Sequence, residues 1–156
     1  MATHGYVRHG ASMLIAAVLV GTSLAVVTAG ASTRHVVKVE RVAHLGTVLF
    51  SERGFALYTY GRDTLNHSNC NGSCLSAWPA LTVSKGVTPT GVAGLGVIVR
   101  SNGKRQVTWR HHPLYTFTSD AKGKVTGNGV AAFHAAILKK ASATSVTTTT
   151  TRSYGY

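Results

Sequence analysis

One pattern occurs twice in this chain and leaves it few folds to choose from. Residues 47–63 read TVLFSERGFALYTYGRD and residues 104–120 read KRQVTWRHHPLYTFTSD. At an offset of 57 residues, Leu57-Tyr58-Thr59 falls on Leu114-Tyr115-Thr116, Tyr60 on Phe117 and Asp63 on Asp120. Each copy is a β-rich run, a break and a second β-rich run. In the first these are Val48-Leu49-Phe50, Arg53-Gly54 and Leu57 to Tyr60; in the second, Val107-Thr108-Trp109, His111-His112-Pro113 and Leu114 to Phe117. Runs of this kind are hairpin signatures. Each copy then passes through a polar stretch to an apolar aromatic segment, at Trp78-Pro79 and at Phe133. Two such units sharing a core predict a small, single, mainly antiparallel β domain with one or two short helices.

Between the copies, Gly96 to Arg100 reads as a strand, and Ser101-Asn102-Gly103-Lys104 as a tight turn, since Asn-Gly tolerates positive φ. Residues 130–140, VAAFHAAILKK, make the best helix candidate: Val130, Phe133 and Ile137 form an apolar face and the closing lysines suit a helix C-terminus. The domain is expected over residues 44–140, after a polar, basic spacer at 32–43. Residues 141–156 end in a Thr-rich run without apolar periodicity, and are expected to be a disordered tail.

The first residues read as targeting. Ala11 to Val27 is an uncharged, largely apolar run, and Ala29-Gly30-Ala31 is the small-x-small pattern a signal peptidase accepts. A run of about 17 residues is at the lower edge for crossing a bilayer. Residues 1–31 are therefore a signal peptide or a retained N-terminal anchor, and the membrane is touched only through this segment if it stays. Either way the rest is exported, secreted or associated with the cell envelope.

Charge bounds the function. The chain of 156 residues carries 16 Lys+Arg against 4 Asp+Glu, a formal +12. Four carboxylates are too few for acid-rich calcium cages and disfavour multi-carboxylate catalysis. The excess of cations points to an anionic partner. Outside the cytoplasm that is an anionic envelope polymer or lipid headgroups. Nucleic acid is not expected, because no basic stripe, recognition helix or aromatic–basic repeat is present. Gly-x-Ser-x-Gly, His-Glu-x-x-His and phosphate-cradling glycine loops are likewise missing.

The repeated pattern is Tyr-x-aromatic-x-x-Asp, and Asp63 and Asp120 are the only aspartates in the chain. Strand alternation puts Tyr58 and Tyr60 on one face, and Asp63 just past the strand end, where a carboxylate can accept backbone N–H bonds and fix a turn. The rival reading brings both aspartates into one cleft to share a proton or hold a cation, as in an envelope hydrolase. Trp78-Pro79 is expected to seal one end of the core and Phe133 the other.

Cys70-Asn71-Gly72-Ser73-Cys74 and Ala77-Trp78-Pro79-Ala80-Leu81 follow the first copy, with Asn102-Gly103, Gln106-Val107-Thr108, Pro113-Leu114-Tyr115 and Gly127-Asn128-Gly129 around the second. In this combination the chain resembles the bacterial secreted repeat proteins, often predicted lipoproteins, that carry the Y-x-[FWY]-x-x-D motif. The resemblance spans about residues 45–138. It implies an extracytoplasmic two-copy domain, in a family with no established activity. The chain lacks the lipidated Cys of the lipoprotein members, and has His111 where Gly is usual and Phe133 where Trp is usual.

Cys70 and Cys74 are the only cysteines. Export places them in an oxidising setting, and a turn through Asn71-Gly72-Ser73 brings their Cα atoms to about 6 Å, so a disulfide is expected. The C-x₃-C spacing fits neither haem attachment nor a thioredoxin-type pair. A metal site would need histidines as well; His67 is nearest in sequence, while His111, His112 and His134 would have to converge through folding. Copper or zinc would suit such ligands. The resulting expectation is an exported, non-enzymatic binding or scaffold domain at the envelope, with an extracytoplasmic metal-binding or redox accessory protein as the alternative.

Overall fold

The computed structural model describes Met1 and residues 30–140. The signal or anchor expected over 1–31 and the tail expected over 141–156 lie almost entirely outside these residues. In chain order the elements are β1 (Ser32–His35), β2 (Val37–Val42), β3 (Gly46–Ser51), β4 (Tyr58–Tyr60), α1 (Ser73–Ala77), β5 (Thr82–Val83), β6 (Val87–Thr90), β7 (Leu95–Val99), β8 (Arg105–Trp109), β9 (His112–Pro113), a 3₁₀ turn (Val130–Ala132), β10 (Phe133–Ala135) and β11 (Ile137–Lys140). The fold is mainly β, with one short helix. β3 lies between β11 and β2, and β8 between β5 and β7; β4 pairs with β10, and β1 runs parallel to β6.

The repeat governs the packing. In Leu57-Tyr58 and Leu114-Tyr115 the two side chains of each pair point to opposite faces, as strand alternation requires. Both tyrosines join a core with Phe50, Trp78 and Phe133, while both leucines join a second with Leu49, Val107 and Trp109. The central strands are thus buried on both sides, which is why their sequences are nearly continuous in apolar residues. Equivalent backbone bonds recur around the pair: Leu49 N–H donates to Ala136 O at 2.9 Å, and Val107 N–H to Leu81 O at 2.8 Å.

Two segments differ from what their sequences predict. Residues 130–140 are not a helix. Ala131 and Ala132 take φ of 48° and 66°, which stops helical propagation, and Phe133 to Ala135 then pair with Tyr58 to Tyr60. Phe133 and Ala135 are buried and His134 is exposed, a period of two that the Val130–Phe133–Ile137 spacing concealed. Pairing with β4 and burial of Phe133 outweigh the helix propensity of an Ala-rich segment. Residues 32–43 do not stand apart as a spacer: β2 pairs with β3 along its length, and Val36 and Val37 are buried in the second core. Beyond Val37, exposed Val39 and Arg41 alternate with half-buried Lys38, Glu40 and Val42, which dilutes the apolar signal.

The two turns of the second half have different qualities. Gly103 occupies the left-handed region at φ 76° between β7 and β8, as the Asn102-Gly103 pair predicts. Between β8 and β9, however, Arg110 and His111 take φ of 49° and 69°. Two left-handed central residues in a two-residue hairpin turn favour Asn-Gly, and a side chain at each costs on the order of 1 kcal/mol. His111→Gly is expected to raise stability by about 1 kcal/mol, read as a higher urea midpoint at unchanged m-value.

Candidate functional site

The repeated motif places its tyrosines at the centre of the molecule, where β4 meets the strand-like segment around Tyr115. Tyr58 N–H donates to Tyr115 O at 2.9 Å and Tyr115 N–H to Tyr58 O at 3.0 Å, so the local two-fold relation between the copies passes between these residues. Both side chains are fully buried. A buried phenol needs a partner for its O–H. Each finds it in the other copy: Tyr58 Oη donates to Asp120 Oδ2 at 2.7 Å, and Tyr115 Oη to Asp63 Oδ2 at 2.7 Å.

The second oxygen of each aspartate closes its own loop. Asn69 N–H donates to Asp63 Oδ1 at 2.7 Å. At the equivalent position, Thr126 N–H and Oγ1 donate to Asp120 Oδ1 at 2.8 and 2.7 Å. Gly127 N–H completes the second site by donating to Tyr58 Oη at 3.2 Å. A Cβ at Gly127 would lie 2.6 Å from the Trp78 ring, so only glycine lets this loop close over the indole.

The motif's other aromatic position is also exchanged between copies. Tyr60 stacks on Phe133 at 4.3 Å between centroids, Phe133 on Trp78 at 3.8 Å, and Trp78 on Phe117 at 4.2 Å. The four rings form one column that crosses from copy to copy, flanked edge-on by Tyr58 and Tyr115. Pro79 is only partly buried; its carbonyl accepts from Thr116 N–H at 2.9 Å.

A buried arginine that sequence reasoning did not single out organises the first copy. Arg100 is 8% exposed. Its guanidinium donates to Ser68 Oγ at 2.7 Å, to Asn71 Oδ1 at 2.9 Å, to Gln106 Oε1 and to Cys70 O. Buried Gln106 passes the chain on, donating through Nε2 to Leu114 O at 2.9 Å. Ser68 Oγ also bonds Tyr115 Oη at 2.7 Å, which links the arginine to Asp63 without direct contact. Cys70 and Cys74 form a disulfide with Cα atoms 5.3 Å apart, so the same short loop is held covalently and by Arg100. Nothing in the sequence distinguishes an arginine before an Asn-Gly turn from a surface one.

The histidines considered as ligands do not gather. His67, His111, His112 and His134 are all exposed, and His111 Nδ1 lies 3.3 Å from Asn66 Nδ2. Among the described residues no group of three or more His, Cys, Asp or Glu is placed to hold a metal ion. The disulfide withdraws both thiols from any such set.

Burial sets the proton chemistry. It pushes Tyr115 up to about 12, with the bond to Asp63 acting in the same sense, and raises Tyr58 further, with Asp120 adding to the effect. Burial also raises Asp63, against the lowering by the Tyr115 hydroxyl and Asn69 N–H. A phenol raised on folding contributes stability that is fully present below its unfolded value and lost as pH climbs through the folded one. The urea midpoint is therefore expected to hold up to about pH 10 and to fall between there and pH 12, as unfolded tyrosines ionise first. Tyr115→Phe should flatten that alkaline limb; an unchanged slope would contradict the assignment.

Among the described residues no helix is long and apolar enough to cross a membrane. No curated protein and no solved structure matches the chain. A family model described as a secreted repeat of unknown function matches residues 41–82 and 96–136. These two matches cover more than half of the sequence and divide it at the boundary between the interlocked copies. The chain belongs to this family of secreted repeats, and carries the repeat twice.

Proposed function

We propose that the protein is an exported, non-enzymatic domain that binds or scaffolds at the cell envelope through an anionic partner. The observation that carries the reading is how its acids are used. Asp63 and Asp120 are each engaged through both oxygens, one in the interlock and one in their own loop. The remaining two carboxylates pair locally, Glu40 with Lys38 at 2.8 Å and Glu52 with His35 at 3.1 Å. Neither aspartate is left to activate a nucleophile, and their paired arrangement in one cleft is replaced by two separate Tyr–Asp contacts. Among the described residues most of the exposed cations are left without a carboxylate, so the field around the domain is positive.

The domain also has the rigidity a scaffold needs, with one disulfide, a continuous aromatic column and a doubly buried central strand pair. Binding by uncompensated charge is screened by salt. The full chain is expected to be retained on envelope fractions at about 0.05 M salt and released at about 0.5 M, where the screening length falls to a few ångströms. Retention that is equal at both, or absent at low salt, contradicts the reading.

A further inference from the structure

Two cavities open side by side along β5. One, of about 370 Å³, is bordered by Arg34, His35 and Arg53; the other, of about 300 Å³, by Arg34, Lys85, Lys104 and Arg105. Arg34, Thr82 and Val83 line both, so the two form a single groove with β5 at its middle. Five cations border it against one carboxylate, Glu52, which is engaged with His35. The groove thus gathers positive charge in a concavity.

Arg105 carries the second observation. Its side chain lines the groove, yet Nε is buried without a hydrogen-bond partner, and Nη2 reaches Val87 O only at 3.4 Å. A guanidinium has five N–H donors in a fixed fork, so most of the donor capacity of Arg105 is unused within the protein. Nε itself is closed to solvent and beyond an entering ligand's reach; what Arg105 offers an anionic oxygen in the groove is its charge and its Nη donors, whose one bond is the long one to Val87 O. Thr82 and Ser84 add hydroxyls along the same line.

We infer that this groove holds a linear phosphodiester polymer, with Arg34, Arg53, Lys85, Lys104 and Arg105 each available to its backbone phosphates. This rests on the proposed envelope-binding role and locates it. Two joined cavities with cations at both ends suit repeated charges on a chain better than a single small anion. Of Phe, Tyr and Trp only Phe55 borders the groove, and the His35 ring is engaged with Glu52, so sugar rings or nucleobases have little stacking platform. Recognition is therefore of the charged backbone.

The test uses the full chain and a synthetic poly(glycerol phosphate), titrated calorimetrically at low and high salt. Lys85 and Lys104 are exposed, so Lys85→Gln/Lys104→Gln is expected to keep the urea midpoint of the native protein. It should weaken binding by at least about tenfold and lower the dependence of log K on log salt by about 1.4, as loss of two phosphate contacts on a single-chain polyanion requires. Lys139→Gln/Lys140→Gln removes the same charge from β11, outside the groove, and should cost less than about threefold, the residue of long-range attraction at a screening length near 10 Å. Arg105→Lys keeps the charge and removes the guanidinium fork; it should weaken binding as well, and unchanged binding would overturn the part assigned to Arg105. Equal losses from the two lysine pairs would overturn the groove, reducing binding to net charge. So would binding to anionic phospholipid vesicles with none to the polymer. If envelope retention persists while the polymer is ignored, the groove assignment fails alone; if both are lost at low salt, the binding role itself fails.

Discussion

Two hydrogen bonds, Tyr58 to Asp120 and Tyr115 to Asp63, decide what kind of object this protein is. Each phenol takes its carboxylate acceptor from the other repeat, and each aspartate gives one oxygen to that phenol and the other to its own loop. Hydrogen bonds to a carboxylate are the stronger kind, about 1.5–3 kcal/mol each. A buried tyrosine without one pays a desolvation cost of similar size. Neither repeat is therefore a folding unit by itself. The aromatic column repeats the same exchange in apolar form, with Tyr60 on Phe133 and Phe117 on Trp78.

Everything placed further out depends on that interlock. Loop closure by the second oxygen of each aspartate fixes the segments that lead to Cys70 and to Gly127. Arg100 then ties the disulfide loop to β8 through Gln106, and β8 carries Arg105 to the groove. The chemistry of the centre is thus inward-facing and structural, while the cations stay outside. That division explains how a chain with so few acids can be both well packed and strongly basic. It also separates the repeat, which makes the fold, from the surface, which carries the charge.

Much of this was legible in the sequence because hairpins and turns are local. The two β-rich pairs, the Asn102-Gly103 turn and the closeness of Cys70 to Cys74 follow from residue types and short spacings. The position of both aspartates at equivalent points of the two copies was visible too. Their exchange of partners was not, since an offset between copies says which residues correspond and not which meet. Residues 130–140 misled for a related reason: VAAFHAAILKK satisfies a helical period and a strand period at once, and only the unpaired edge of β4 decides between them. Arg100 was hidden because burial of a cation among neutral acceptors leaves no acidic signature nearby.

The central claim is that the copies are held by exchanged Tyr–Asp bonds rather than by burial alone. A double-mutant cycle with Tyr58→Phe, Asp120→Asn and the pair, followed by urea unfolding, measures it directly. Exchange predicts a coupling energy of about 1–3 kcal/mol, with each single substitution lowering stability by more than the second adds. Additivity within about 0.5 kcal/mol, the behaviour of sites that do not interact, would contradict it.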